Sequence, residues 1–190
     1  PGTTQEIFSL DELIKTFSIE RIGKAGAKFD IQKAQWFNQQ YLREKPDEEL
    51  ADYLLSSLNE ENIPCPREKA VKIAGVMKER ITFPHDFWLQ GKFFFFAPEK
   101  YDEGVAGKKW NDEAVKVLSS YRDAIGALDA IGATTITTTL ERVTAALGIG
   151  TGKILQALRL AITGQGGGPD LMMIMEIIGK EEIISRIDHA

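Results

Sequence analysis

The amino-acid sequence predicts an all-α protein arranged as two consecutive helical bundles. Apolar residues recur at helical spacing in one segment after another, and little of the chain alternates in the manner of a strand. Helix-start residues, among them Ser9, Asp30, Asn111 and Asp170, stand where those apolar periods begin. Glycine, proline and polar clusters divide the segments from one another.

Ser9 with Glu12 three residues later is a capping box for a short helix through Thr16, and Ser18 opens another turn towards Arg21. Gly23 to Lys28 reads as a loop. From Asp30 to Arg43 the helical period returns, with Ile31, Ala34, Phe37 and Tyr41 on one side. Pro46 and Asp47 begin the next helix, through Leu58, because proline is tolerated only in a helix's first turn. Asn59 to Pro66 is a linker. Arg67 to Arg80 carries Ala70, Ile73, Ala74 and Met77 at helical spacing, and Pro84 starts a shorter segment ending near Phe96.

Asp102 to Lys109, glycine-rich and polar, is the candidate boundary between the two bundles. Beyond it, Val115, Leu118, Tyr121, Ile125 and Leu128 mark a helix after the Asn111 cap, and Ile136, Leu140, Val143 and Leu147 mark the next. Thr134 to Thr139 holds five threonines and an isoleucine, a composition that alone favours strand; the helical reading rests on the apolar period continuing past it. Final helices are expected from about Thr151 to Ile162, Asp170 to Ile177 and Lys180 to Ile187. No internal repeat is evident.

A chain of 190 residues, 43% hydrophobic and 27% charged, has ordinary soluble-protein composition and room for one domain or two small ones. Its most apolar short run, Phe93 to Ala97, is far below the roughly 20 residues a membrane helix needs, so no membrane partner is expected. Pro1-Gly2-Thr3-Thr4 carries neither initiator Met nor leader pattern and reads as the cut end of a longer protein. The single Cys65, between two prolines, reads as a loop thiol, and with only His85 and His189 there is no zinc-ligand spacing; no metal site is expected, and the compartment is the cytoplasm. A net charge of −5 argues against a broadly basic nucleic-acid surface, although the distribution of charge decides more than its sum.

No catalytic residue is expected. Gly148 to Lys153 is followed by Ile154 where a phosphate loop needs Ser or Thr, and neither it nor Gly164 to Gly168 follows a strand. The first glycine set reads as a helix C-cap joined to the next N-terminus. The second is a flexible run that lets backbone approach a partner closely, with Asp170 capping the helix after it. The acidic sets Asp47-Glu48-Glu49 and Glu181-Glu182 sit near helix starts, where negative charge complements the dipole.

Binding residues are easier to place. At about 100° per residue, Lys33, Trp36, Gln40 and Arg43 fall on the side opposite Ile31, Ala34, Phe37 and Tyr41. An indole among cations suits RNA, since Lys and Arg meet phosphates while the ring packs on ribose or base; the alternative is a buried Trp36 with solvated cations around it. Arg67, Lys69, Lys72, Lys78 and Arg80 form a second basic set. Arg159 borders the apolar stripe of Ile154, Leu155, Leu158 and Ile162 close to the glycine loop, where an arginine could read a base edge.

Glu6-Ile7-Phe8-Ser9-Leu10-Asp11-Glu12-Leu13, Phe17-Ser18-Ile19-Glu20-Arg21-Ile22, Phe29-Asp30, Trp36-Phe37-Asn38 and Tyr41-Leu42-Arg43 occur in this order. Leu158-Arg159, Ala161-Ile162-Thr163-Gly164, Pro169 with Leu171, and Glu176-Ile177-Ile178-Gly179-Lys180-Glu181 follow. In order and spacing the chain resembles the part of bacterial glutamyl-tRNA synthetases that follows the catalytic half. The region from Ile81 to Lys109 matches less well.

That family comprises class I synthetases that join glutamate to its tRNA with ATP and magnesium on an N-terminal Rossmann domain, whose His-Ile-Gly-His-like and Lys-Met-Ser-Lys-Ser-like signatures are not found here. The resemblance implies a stem-contact tail over 1–45, a first anticodon-binding helical subdomain over 46–101 and a second over 102–190. It implies tRNA(Glu) and the protein's own N-terminal catalytic domain as partners, no DNA, a monomer, and no cofactor held by these residues. By position, Lys33 and Trp36 resemble residues facing the inside of the tRNA L. Arg80 resembles the arginine sensing the third anticodon base, and Arg159, Gly168, Pro169 and Leu171 match positions cradling the other two. Gly168 stands where one branch of the family has threonine, so a reading through it must use backbone. Two other readings remain on sequence grounds: a helical protein-interaction module using Phe93 to Phe96 as an exposed patch, and a purely structural C-terminal domain.

Overall fold

The computed structural model describes residues 4–22 and 28–190, within which eleven α-helices and two short 3-10 helices are found and no strand. The expected loop at 23–28 therefore lies, except for Lys28, outside the described residues.

Helix α1 (Leu10–Thr16) starts where expected: Ser9 accepts from the Glu12 N–H while Glu12 accepts from the Ser9 N–H, at 2.7 Å. This box holds the Glu12 carboxyl below its ordinary pKa. A 3-10 turn (Ile19–Arg21) follows. Asp30 caps α2 (Ile31–Glu44) by accepting from the Lys33 N–H at 3.0 Å. Of α2's residues only Leu42 is buried; Ile31 stays 65% exposed and Tyr41 39%, so the expected apolar face is not a core face. Phe37, expected on that face, instead meets the Trp36 ring edge-on at 5.1 Å and lies under Lys33 Nζ, because positions four apart are neighbours on a helix.

Helices α3 (Asp47–Glu60) and α4 (Arg67–Met77) form an antiparallel pair closed by Leu50, Leu54 and Leu58 against Ala70, Ile73, Ala74 and Met77, all fully or almost fully buried. Burial of each such Leu or Ile contributes about 1.5–3 kcal/mol. The predicted continuation to Arg80 is a turn instead. The Arg80 N–H bonds to the Met77 carbonyl at 2.8 Å, and Asp86 accepts from both the Thr82 and Phe83 N–H groups, which stops the chain before α5 (Asp86–Gly91).

A 3-10 turn (Lys92–Phe94) ends this part. It corrects the exposed-patch reading of Phe93 to Phe96: Phe93 and Phe94 are core residues, at 6% and 1% exposed, and only Phe96 is open, at 52%. A single turn of 3-10 helix distributes successive rings around its axis, so four consecutive phenylalanines cannot share one face.

The glycine-rich Asp102 to Lys109 stretch is helical, as α6 (Glu103–Lys109). Asp102 accepts from the Val105 N–H and the helix packs on α9 (Thr151–Thr163). In α7 (Asp112–Gly126) the buried set is Ala114, Val117, Leu118, Tyr121 and Ile125; Val115, expected inside, is 48% exposed. The threonine-rich segment is α8 (Ala133–Ala146). Threonine is accommodated there because the Thr137, Thr138 and Thr144 hydroxyls donate to carbonyls four residues back, while Thr135 accepts from the Gly132 N–H. In α9 the expected Ile154, Leu158 and Ile162 are buried together with Ala157, Leu160 and Ala161, and Leu155 lies outside at 37% exposed.

Asp170 caps α10 (Leu171–Ile178), and Gly179, at φ +91°, turns the chain into α11 (Lys180–His189). Helix α10 packs on both α8 and α4, α11 packs on α7 and α9, and the buried apolar residues from Leu42 to Ile187 form one continuous cluster. Glu176 fastens the junction, accepting from the Ala133 N–H at 2.8 Å and pairing with Lys72 at 3.5 Å. No described helix is long and apolar enough to cross a membrane.

Candidate nucleic-acid interface

The predicted site residues fall into two places. Lys33, Trp36 and Arg43 lie along α2. Lys33 pairs with Glu6 at 2.9 Å across partly exposed surface, and Trp36 is 39% exposed, which excludes the buried alternative for its ring. Arg43 is engaged: its Nη2 donates to the Glu79 carbonyl at 2.7 Å and its Nε lies 3.0 Å from the Glu79 carboxylate. Asn38 donates to the Thr82 carbonyl and Gln39 to that of Glu79. The C-terminal half of α2 thus grips the 79–82 turn, and that turn carries Arg80. These contacts span some forty residues of sequence and left no local signal.

Arg80, Gly168 and Pro169 come together at a second place. They line one concavity of about 700 Å³ with Leu89, Gln90, Phe93 and Gln165, none of which the sequence pattern had marked for this site. The glycine loop that forms its rim is fixed by close packing. Gly164, at φ +73°, donates to the Leu160 carbonyl and accepts from the Asp102 N–H at 2.9 Å. At Gly166 a Cβ would lie 2.5 Å from the Val105 side chain, so α6 presses directly on the loop backbone.

Arg159 approaches from α9 beneath this rim. Its Nη1 would be 3.0 Å from a Cβ on Gly168, and this nitrogen is buried with no hydrogen-bond partner among the described residues. Burial and the like charge of Arg80 both press the Arg159 guanidinium below its ordinary pKa, while Asp170 acts in the opposite sense. The side chain still carries its charge at neutral pH, as arginine does. Two cations therefore face one loop, one exposed at Arg80 and one half-buried at Arg159 with unused donor capacity. Such a pair can attract a polyanion and offer planar donors to a base edge. Leu171, by contrast, is 5% exposed and its side chain belongs to the core, so anything it offers a partner is backbone at the start of α10. No cluster of three or more His, Cys, Asp or Glu able to hold a metal ion occurs among the described residues.

An all-helical fold thus presents a glycine-rimmed concavity lined by Arg80 and Glu79, with Arg159 beneath its rim. The chain belongs to the anticodon-binding domain family, whose model matches residues 37–190. It is similar to glutamate–tRNA ligase of Cytophaga hutchinsonii, at 50% identity over all of this chain and 37% of that protein, and of Bacteroides thetaiotaomicron, at 38% identity over all of this chain and 38% of that protein. Among solved structures, a glutamate tRNA ligase from Elizabethkingia meningosepticum in complex with its amino acid superposes with TM-score 0.91 at 44% identity, over 97% of this chain and 37% of that one. A glutamate–tRNA synthetase from Elizabethkingia anophelis also gives TM-score 0.91, at 43% identity over all of this chain and 37% of that one. The chain thus spans little more than a third of the length of the relatives it matches.

Proposed function

We propose that this chain reads the anticodon of tRNA(Glu) as the C-terminal part of a cytoplasmic glutamate–tRNA ligase whose full-length form attaches glutamate to that tRNA using ATP. The observation that carries the reading is the convergence of Arg80 and Arg159 on the Gly168 loop, within a fold of the anticodon-binding family. Arg80 contacts the third anticodon base; Arg159 and the backbone of Gly168, Pro169 and Leu171 hold the other two. Lys33 and Trp36 meet the inside of the tRNA L, with Arg43 holding the Arg80 turn in place. Residues 46–101 and 102–190 act as the two anticodon-binding subdomains. No residue of this chain is assigned to ATP or magnesium.

Residues 1–45 belong to the stem-contact region and adjoin the catalytic domain. Support comes from Leu10, Ile14, Phe17, Ile19 and Ile31, large apolar side chains all more than 60% exposed, a concentration that a free surface does not favour.

The test is fluorescence anisotropy of the chain with a tRNA(Glu) transcript and its anticodon-substituted versions across a salt series, since salt separates phosphate attraction from base reading. A penalty of about 1 kcal/mol or more per wrong base is expected. Equal, salt-dominated binding of all transcripts would reduce the site to a nonspecific RNA surface.

A further inference from the structure

Beside the Arg80 concavity lies a second, of about 520 Å³, and the two share Leu89, Gln90, Phe93 and Gln165. The second is bounded by Trp88, Phe96, Lys92 and Lys100. Phe96 is 52% exposed, yet its ring is braced: Trp88 meets it edge-on at 6.3 Å, and its N–H bonds to the Lys92 carbonyl at 3.0 Å. Lys92 Nζ stands 5.2 Å from the centre of the Trp88 ring. The opposite wall is held as firmly. The absence of a side chain at Gly164 admits the Lys100 carbonyl and Pro98, and the Asp102 N–H bonds to the Gly164 carbonyl. Glu99 is the one carboxylate lining this concavity, against two lysines.

A braced, half-open aromatic ring flanked by lysines and continuous with an RNA-reading concavity has the chemistry of a nucleotide platform. Every base offers a π-face to stack, and the cations meet the backbone. We propose that the second concavity holds the unpaired nucleotide adjoining the anticodon triplet, its base stacked on Phe96 and its phosphate met by Lys92 and Lys100. The inference rests on the first concavity being the anticodon reader. It adds a contact that is indifferent to sequence and that anchors the loop while Arg80 and Arg159 discriminate.

The test uses the 190-residue chain and a stem-loop transcript carrying the glutamate anticodon, with 5-iodouridine placed in turn at each loop position flanking the triplet. Irradiation is expected to join one flanking position to Trp88 or Phe96, identified by peptide mass spectrometry. Phe96→Ala is expected to weaken binding about fivefold or more, equally for right and wrong triplets, while Phe96→Tyr retains affinity. Lys92→Gln is expected to lower the salt slope by about one. Cross-links of flanking positions confined to residues 77–80 and 167–169, which line the first concavity alone, or Phe96→Ala affinity within about twofold of the unaltered chain, would overturn the proposal. Triplet discrimination without a Phe96 effect sinks the platform alone. A Phe96 effect without triplet discrimination sinks the anticodon reading and with it the assignment of the flanking nucleotide, leaving a general RNA-stacking surface, and no binding of any transcript at low salt overturns both.

Discussion

Arg186, 1% exposed on the last helix, donates through Nη1 to the Ile162 carbonyl at 2.6 Å, and the same nitrogen donates to the Phe93 carbonyl at 2.7 Å. Its Nε pairs with Glu182 at 2.7 Å. Ile162 lies in the last turn of α9, where carbonyls lack helical partners, and Phe93 lines both concavities. One buried guanidinium therefore ties α11 to the end of α9 and to the Phe93 segment that lines both concavities.

Arg186→Met should lower stability by about 3 kcal/mol or more, because two buried carbonyls lose their donor and Glu182 its partner. Arg186→Lys should recover only part of this, since a single ammonium does not reproduce the planar fork. Urea unfolding checks both, read as a lower midpoint at unchanged slope.

Arg80 is exposed, so Arg80→Gln should leave stability within about 0.5 kcal/mol of the unaltered chain while removing discrimination at the third anticodon base. Anisotropy with that base swapped decides the matter. If the Arg80→Gln protein still distinguishes the bases, the assignment is wrong.

Gly168 has φ +153°, and a Cβ there would lie 3.0 Å from Arg159 Nη1. Gly168→Ala should cost about 1–3 kcal/mol in thermal or urea unfolding through backbone strain. It should also displace the Arg159 guanidinium and so weaken discrimination at the first two anticodon bases more than overall affinity for RNA.

Tyr121 is fully buried with its hydroxyl donating to the Ile136 carbonyl at 3.0 Å, and burial raises its pKa well above the ordinary tyrosine value. The folded state then holds the proton more tightly than the unfolded chain. Its stabilising contribution is present in full below about pH 10 and is lost as pH rises from there towards the raised folded value, by up to about 1.4 kcal/mol per pH unit. Tyr121→Phe should lower stability at pH 7 by about 1 kcal/mol through the lost hydrogen bond to the Ile136 carbonyl, and should flatten the alkaline decline. Urea midpoints from pH 8 to 11 measure both effects, and a decline as steep in Tyr121→Phe as in the unaltered chain would assign it to other groups.

What the sequence determined by itself was local in origin. Ser9 with Glu12, Asp30, Asn111 and Asp170 start their helices because a short side chain can reach an N–H two or three residues ahead, whatever the rest of the fold does. The α4 stripe of Ala70, Ile73, Ala74 and Met77 was likewise legible, since a 3.6-residue period places those residues on one face. Arg80, Arg159 and Gly168 could be nominated individually from charge, position and family resemblance. Their meeting could not, because it depends on α10 packing against α4 and on α6 pressing the glycine loop into place. The same is true of which phenylalanines in the 93–96 run point inward and of Arg43 gripping the Arg80 turn. Periodicity defines a face but not its partner, and an ion pair or hydrogen bond between residues tens of positions apart leaves no mark in either neighbourhood. Only the tertiary structure brings such residues within the few ångströms where those interactions act.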